Sequence, residues 1–165
     1  MKAPLFLALL FCSTTIAQQP VTTPVTPAPF TSIESIGAVV PASVKMRTGG
    51  KWNVIGVEQA NEAVAANARN KPATLRLKVQ VFEPFKESGW GYRIMAPDGE
   101  VSIRGTKIFY RVWAYFRPDQ ADALSKVHKG ATVTLSGTLK RADIKMFDGH
   151  PGLSLDLTEA TVEKQ

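Results

Sequence analysis

From residue 73 onward the chain alternates. In ATLRLKVQVF (73–82), Leu75, Leu77, Val79 and Val81 fall on one side and Arg76, Lys78 and Gln80 on the other. That is the period of a half-buried strand. WGYRIMAP (90–97) predicts a second strand, and DGEVSIRGT after it a loop or short hairpin arm turning at Asp98-Gly99. KIFYRVWAYF (107–116), densest in aromatic and β-branched residues, predicts the third. ATVTLSGTL (131–139) is the fourth, KRADIKMFDGHPG its loop, and LSLDLTEATV (153–162) the fifth.

Two segments carry the helical period instead. In 57–68, Val57, Ala60, Val64 and Ala68 form a narrow, alanine-rich stripe suited to close packing on a sheet, and Asn70 and Pro72 end it. Segment 118–128 has Pro118 at its start, acids in its first turn, and Lys126 and His128 in its last. Ala121, Leu124 and Val127 mark its buried side, and Gly130 follows where a helix end favours glycine.

The order is therefore a helix, three strands, a helix and two strands, in a mainly β chain. It predicts a five-stranded OB-fold barrel with an N-terminal helix before the first strand and the second helix plugging one end. Gly137, midway in the fourth strand, suits the bend of a small barrel. A β-sandwich is the competing architecture, but the pattern yields fewer than seven strands.

The first residues alter the picture of the rest. MKAPLFLALLFCSTTIAQQ has a basic Lys2, an apolar run from Ala3 to Cys12, and small residues up to Ala17. It reads as a secretory signal cut after residue 17, too short to span a bilayer. The expected location is secreted or periplasmic. Cys12, the one cysteine, leaves with it, so a mature chain has no disulfide or thiolate chemistry. Residues 18–32, QQPVTTPVTPAPFTS, predict a disordered Pro/Thr-rich linker. Residues 33–56 predict an N-terminal extension holding one short strand, with Trp52 and Ile55 packed onto the domain, which runs from 57 to 165.

The run from the 57–68 helix through KPATLRLKVQV, LSKVHKGATVTLSGTL and GLSLDLTEATV resembles secreted single-domain OB proteins of the tRNA-anticodon-binding-like family. The resemblance covers roughly residues 57–162 and implies a fold rather than a chemistry. In size and leader the chain is also similar to small periplasmic bacterial OB proteins, but it lacks their aspartate run before the first strand.

Charge bears on the ligand. The chain has 20 basic and 14 acidic side chains; without Lys2 the count is 19 against 14, a net charge of +5. That balance favours an anionic partner. On the third strand a buried arginine would be costly, so Arg111 and its alternation partners Phe109, Trp113 and Tyr115 are expected on the open face, where OB barrels hold ligands. Arg76 and Lys78 on the first strand and Arg93 on the second extend the patch, and Arg141 and Lys145 in the expected loop flank it. Aromatic rings interleaved with cations are what stacks bases and tracks phosphates. The expectation is a non-enzymatic binding module for single-stranded nucleic acid or another oligoanion such as an acidic glycan. The alternatives are that residues 33–56 or the first helix cover these rings, and that the module serves structure or protein interaction in the cell envelope.

Catalytic signals are weak. His128 and His150 share no ligand spacing, and Gly49-Gly50 and Gly89-Trp90-Gly91 lack the strand-to-helix context of a phosphate loop. Nothing resembles a nucleophile elbow. Asp143, Asp148 and His150 share one expected loop, which reads more simply as a turn than as a metal site. No cofactor or metal is expected.

Overall fold

A computed structural model of the protein describes residues 30–163. The signal and most of the linker expected from the sequence lie outside them. Phe30, inside the expected linker, is buried and bridges Ala73, whose neighbour Thr74 donates its N–H to the Phe30 carbonyl. No helix among the described residues is long and apolar enough to cross a membrane.

Helix α1 (Ile33–Gly37) forms where a strand was expected, because Ser32 and Ser35 cap each other reciprocally. A two-residue hairpin, β1 (Arg47–Thr48) and β2 (Lys51–Trp52), leads to α2 (Val54–Ala68). The helix starts three residues earlier than its apolar stripe, since the Asn53 side chain accepts the Gly56 N–H as its cap. Val57, Ala60, Val64 and Ala68 are its buried side, as the stripe predicted. Ile55 is not packed on the domain; it lies 68% exposed on the outer side of the first turn.

The strands that follow are β3 (Pro72–Lys78), β4 (Val81–Pro84), β5 (Tyr92–Met95), β6 (Gly99–Ile103), β7 (Thr106–Phe116), β8 (Thr132–Phe147) and β9 (His150–Val162). They make one seven-stranded sheet in the order β3-β8-β9-β7-β5-β4, with β6 also paired to β7. Five expected strands thus become seven. The expected first strand divides at Val79-Gln80, where the chain changes partners. Val79 exchanges hydrogen bonds with Ala131 and Gly130 beside β8, whereas the Gln80 N–H turns to the Met95 carbonyl of β5. The two ends of the sheet path are therefore consecutive along the chain. The Asp98-Gly99 hairpin arm is a true strand, β6, paired along β7.

The largest correction is β8. Residues 140–147, expected as a loop, continue the strand to Phe147, and Asp148-Gly149 at positive φ make the turn into β9. Their edge is covered by α2, whose Asn61 side chain accepts the Ile144 N–H at 2.9 Å. Covering an open strand edge in this way satisfies its backbone donors. Gly137 sits at a break in the β8–β9 register between Ser136 and Thr138. A Cβ there would lie 2.7 Å from the Thr158 carbonyl oxygen, so glycine permits the close approach of the bent strands.

The expected 118–128 helix shrinks to a 3-10 turn (Pro118–Gln120) and one α turn, α3 (Ala121–Leu124). Leu124 and Val127 are buried but Ala121 is exposed, which leaves too short an apolar stripe to hold a longer helix. The core lies on the inner side of the sheet, where Leu75, Ile94, Val112, Phe116, Leu135, Leu139, Leu155 and Leu157 are essentially inaccessible.

Candidate nucleic-acid interface

Strand register builds the candidate face as a grid. β7 and β9 run parallel, with Phe109, Arg111 and Trp113 opposite Gly152, Ser154 and Asp156. β8 runs antiparallel to β9 and sets Lys145, Asp143 and Arg141 opposite the same three. On the other side of β7, β5 brings Arg93 opposite Tyr115 and Met95 opposite Trp113. Because the side-chain period is two, all these residues share the outer face. Their alternation partners Ile108, Val112, Ala114 and Phe116 are buried, which bears out the division of the third strand. Tyr110 is only half-buried and stacks on Gly99.

Arg117, Trp90, Tyr115, Phe85, Arg93 and Trp113 form one chain of contacts, with its ring pairs tilted at 41° and 54°. The Arg93 guanidinium lies 4.5 Å from the Phe85 ring centre and 4.7 Å from that of Trp113. Tyr115 is 5.5 Å from Phe85 and 6.0 Å from Trp90, and Arg117 lies 4.9 Å over Trp90. At the far end Phe109 meets Phe147 at 5.6 Å. Phe85, Trp90 and Phe147 were absent from the sequence-based set. Phe85 and Trp90 bracket the loop between β4 and β5, whose position beside β7 is set by the Gly91 N–H bonding the Phe116 carbonyl. The signal was there: an aromatic near each end of a loop bordering the expected face.

Residues 33–56 dock elsewhere. α1 packs on β6, and Arg104 holds its exit by donating to the Ala38 and Val40 carbonyls. Trp52 reaches only the rim, edge-on to His150 at 6.2 Å. Phe109, Trp113 and Tyr115 are left half-exposed.

Of the sequence-predicted residues, Phe109, Arg111, Trp113, Tyr115, Arg93, Arg141 and Lys145 come together. Arg141 and Lys145 do so as strand residues rather than loop residues. Arg76 and Lys78 do not join them. Their β8 partners are Thr134 and Thr132, seven or more residues from Arg141, roughly 20 Å at the rise of a strand.

The cations are paired with carboxylates. Arg111 grips Asp98 through two hydrogen bonds of 2.8 and 2.7 Å, which hold the Asp98 carboxyl below its usual range and raise the guanidinium. Arg93 donates to Glu83 at 2.5 Å and Arg117 to Glu159 at 3.0 and 2.5 Å. The nearly buried Asp143 gathers Arg69 from the end of α2, Arg141 at 3.4 Å and Lys145 at 3.5 Å. Asp156 differs. One oxygen is 3.6 Å from Arg141, while Oδ1 is buried without a hydrogen-bond partner. Burial pushes its pKa up; Arg141 opposes that rise and Asp143 adds to it. Burial likewise raises the Tyr115 phenol, helped by Asp156.

Two adjoining hollows sit on this face. One of about 430 Å³ lies between Asp98, Phe109, His150 and Asp148; the other, about 320 Å³, lies over Trp113, Arg141, Lys145 and Asp156. They share Arg111, Phe147 and Ser154. Among the described residues no group of three histidines, cysteines or carboxylates is placed to hold a metal ion. Asp143 is instead turned to its three cations.

No protein-family model and no curated protein matches the sequence. Among solved structures, a small single-stranded DNA-binding protein from Streptomyces coelicolor aligns over 57% of this chain and 91% of its own, at 19% identity and a TM-score of 0.33. The mitochondrial single-stranded DNA-binding protein Rim1 of S. cerevisiae aligns over 57% and 95%, at 17% identity and 0.33. The Plasmodium falciparum SSB, in complex with ssDNA, aligns over 56% and 94%, at 12% and 0.30.

Proposed function

We propose that the chain is a non-enzymatic OB-type module that binds single-stranded nucleic acid across its β5–β7–β9–β8 face. The strand order supports the barrel. One bent run, 72–84, touches both ends of the sheet path, a parallel β7–β9 pair links the two halves, and a short helical turn precedes β8. Such connections fit a small OB barrel.

The observation that carries the binding reading is the chain of contacts Trp90–Tyr115–Phe85–Arg93–Trp113. Rings held half-exposed by stacked guanidiniums form a platform for successive bases, since every base has a π-face. Arg111 and Arg117 sit in exposed ion pairs worth little to the fold, so exchanging their carboxylates for a phosphate costs little. The same pairs hold down the net attraction, and the binding is expected to be modest. With its leader read as a secretory signal, the module acts outside the cytoplasm.

Tryptophan fluorescence of the chain, titrated with short oligonucleotides and with an acidic glycan at low salt, tests this. Oligonucleotides should quench Trp90 and Trp113, and affinity should fall steeply as salt rises. An unchanged emission, or affinity indifferent to salt, would sink the reading. Saturable binding of the glycan alone would reassign the ligand.

A further inference from the structure

The exposed large apolar side chains among the described residues are Val54, Ile55, Met146 and Phe147, the first two at 65% and 68%. The fold brings them to one end. Asn61 of α2 bonds Ile144 of β8, and Trp52, two residues before Val54, meets His150 edge-on at 6.2 Å. The first turn of α2 therefore lies beside the tip of the β8–β9 hairpin. Phe147 turns to Phe109 on the ligand face, whereas Met146 shares the side of β8 that carries Ile144.

The charge at this end is of one sign. From Ser35 to Val57 the chain carries Lys45, Arg47 and Lys51 and no Asp or Glu. All three cations are exposed, and none joins an ion pair among the described residues. Arg47 and Trp52 are Cα partners across the β1–β2 hairpin, with the guanidinium 4.6 Å from the ring centre. Glu58 stands one turn further along α2, about 6 Å from Val54 along the axis. Asp148, at the β8–β9 turn, lines the 430 Å³ hollow of the ligand face.

An adjoining pair of bare aliphatic side chains, an indole at its border and unpaired cations beside it suit one surface in particular. A nucleic acid would take the cations and leave Val54 and Ile55 in water. A second copy of the chain in a two-fold contact would set the same cations against each other. An anionic bilayer takes both parts: aliphatic side chains enter the headgroup boundary, tryptophan prefers that depth, and lysine and arginine meet the lipid phosphates. We propose that this end of the molecule docks on an anionic lipid surface, with Val54 and Ile55 inserted, Trp52 at the boundary and Lys45, Arg47 and Lys51 on the headgroups. The attachment is peripheral, and the inference stands independently of the nucleic-acid reading.

The experiment is co-sedimentation at low salt with vesicles of phosphatidylcholine mixed with phosphatidylglycerol, or of phosphatidylcholine alone. The full chain is tested beside the chain from residue 18, which lacks the apolar run Ala3–Cys12. Both should bind the mixed vesicles, and the shorter chain should prefer them to the neutral ones by on the order of 100-fold, about fivefold for each cation. Replacing Val54 and Ile55 together by serine should weaken binding about tenfold or more. Replacing Lys45, Arg47 and Lys51 together by glutamine should remove most of the preference for the anionic vesicles. Trp113→Ala should bind vesicles as the unaltered chain does. Circular dichroism checks that each variant folds. Equal affinity of the shorter chain for both vesicles, binding confined to the chain that keeps residues 1–17, or full affinity in the double-serine variant overturns the proposal. Two further results, each without vesicle binding by the shorter chain, also overturn it. Dimerisation that the double-serine variant loses would make this end a self-contact. A loss of oligonucleotide affinity in the triple-glutamine variant would give the cations to nucleic acid.

Discussion

The ring of Phe109 lies directly on the backbone of Gly152. A Cβ at 152 would stand 2.2 Å from Phe109 Cε2, closer than any side chain tolerates. The missing side chain on β9 is what lets Phe109 lie flat across the strand and reach Phe147. Gly152→Ala should therefore destabilise by about 1 kcal/mol, the low end for an inserted methyl group, because the half-exposed ring can swing outward. In a Phe109→Ala background the same change should cost nothing. Chemical denaturation of the four proteins of this cycle measures it, and an equal cost in both backgrounds would contradict the contact.

Trp113 carries the centre of the platform, beneath Arg93 and beside Asp156. Trp113→Ala should weaken oligonucleotide binding by about 1–3 kcal/mol, the worth of one stacked base. Arg76→Ala and Lys78→Ala, on the far part of the sheet, should leave it unchanged. Titrations of the three variants in one buffer compare them. Equal losses at all three would point to diffuse charge attraction instead of a face.

Gly137 admits no side chain. Its virtual Cβ meets the Thr158 carbonyl at 2.7 Å and Leu157 Cγ at 2.9 Å. The carbonyl belongs to backbone that cannot swing aside. Gly137→Val should cost about 2–3 kcal/mol, read as a lower denaturation midpoint with an unchanged slope. A neutral effect would mean that β8 and β9 are less closely apposed than described.

Asp156 and Asp98 should give opposite pH responses. Burial raises the folded-state pKa of Asp156. The folded chain then holds that proton more tightly than the unfolded one, and its contribution to stability falls as pH rises from about 4 through the folded-state value. Asp98, lowered by Arg111, contributes stability above about pH 4 that is lost as pH falls through its folded-state value. Asp156→Asn should accordingly raise the melting temperature at pH 7, by a margin that shrinks toward pH 4. A gain that is the same at both pH values, or no gain at pH 7, would count against a desolvated Asp156 carboxylate.

Asn61 closes the edge of β8 by accepting the Ile144 N–H. Asn61→Ala leaves that donor beneath α2 without its acceptor, at a cost of about 1–3 kcal/mol. The Ile144 amide should also exchange its hydrogen faster. Unchanged exchange would show that α2 is not what protects this edge.

Alternation alone divided β7 into Ile108, Tyr110, Val112, Ala114 and Phe116 on one side and Phe109, Arg111, Trp113 and Tyr115 on the other, and only Tyr110 of the first set is not buried. The reason is local: a strand shows successive side chains to opposite faces, and an arginine cannot be buried without a partner. Helical spacing likewise identified Val57, Ala60, Val64 and Ala68 as the packed side of α2. Residues 140–147 were not read as strand because KRADIKMF is dense in charge, although Ala142, Ile144 and Met146 do alternate with Arg141, Asp143 and Lys145. Only the neighbours supplied by the fold, β9 on one edge and Asn61 of α2 on the other, satisfy its backbone. The candidate site follows the same division. Which β7 residues face outward is a property of the sequence. That they meet Phe85, Trp90, Phe147 and Asp156 depends on strands far apart in the chain lying in register, and no local period encodes that register.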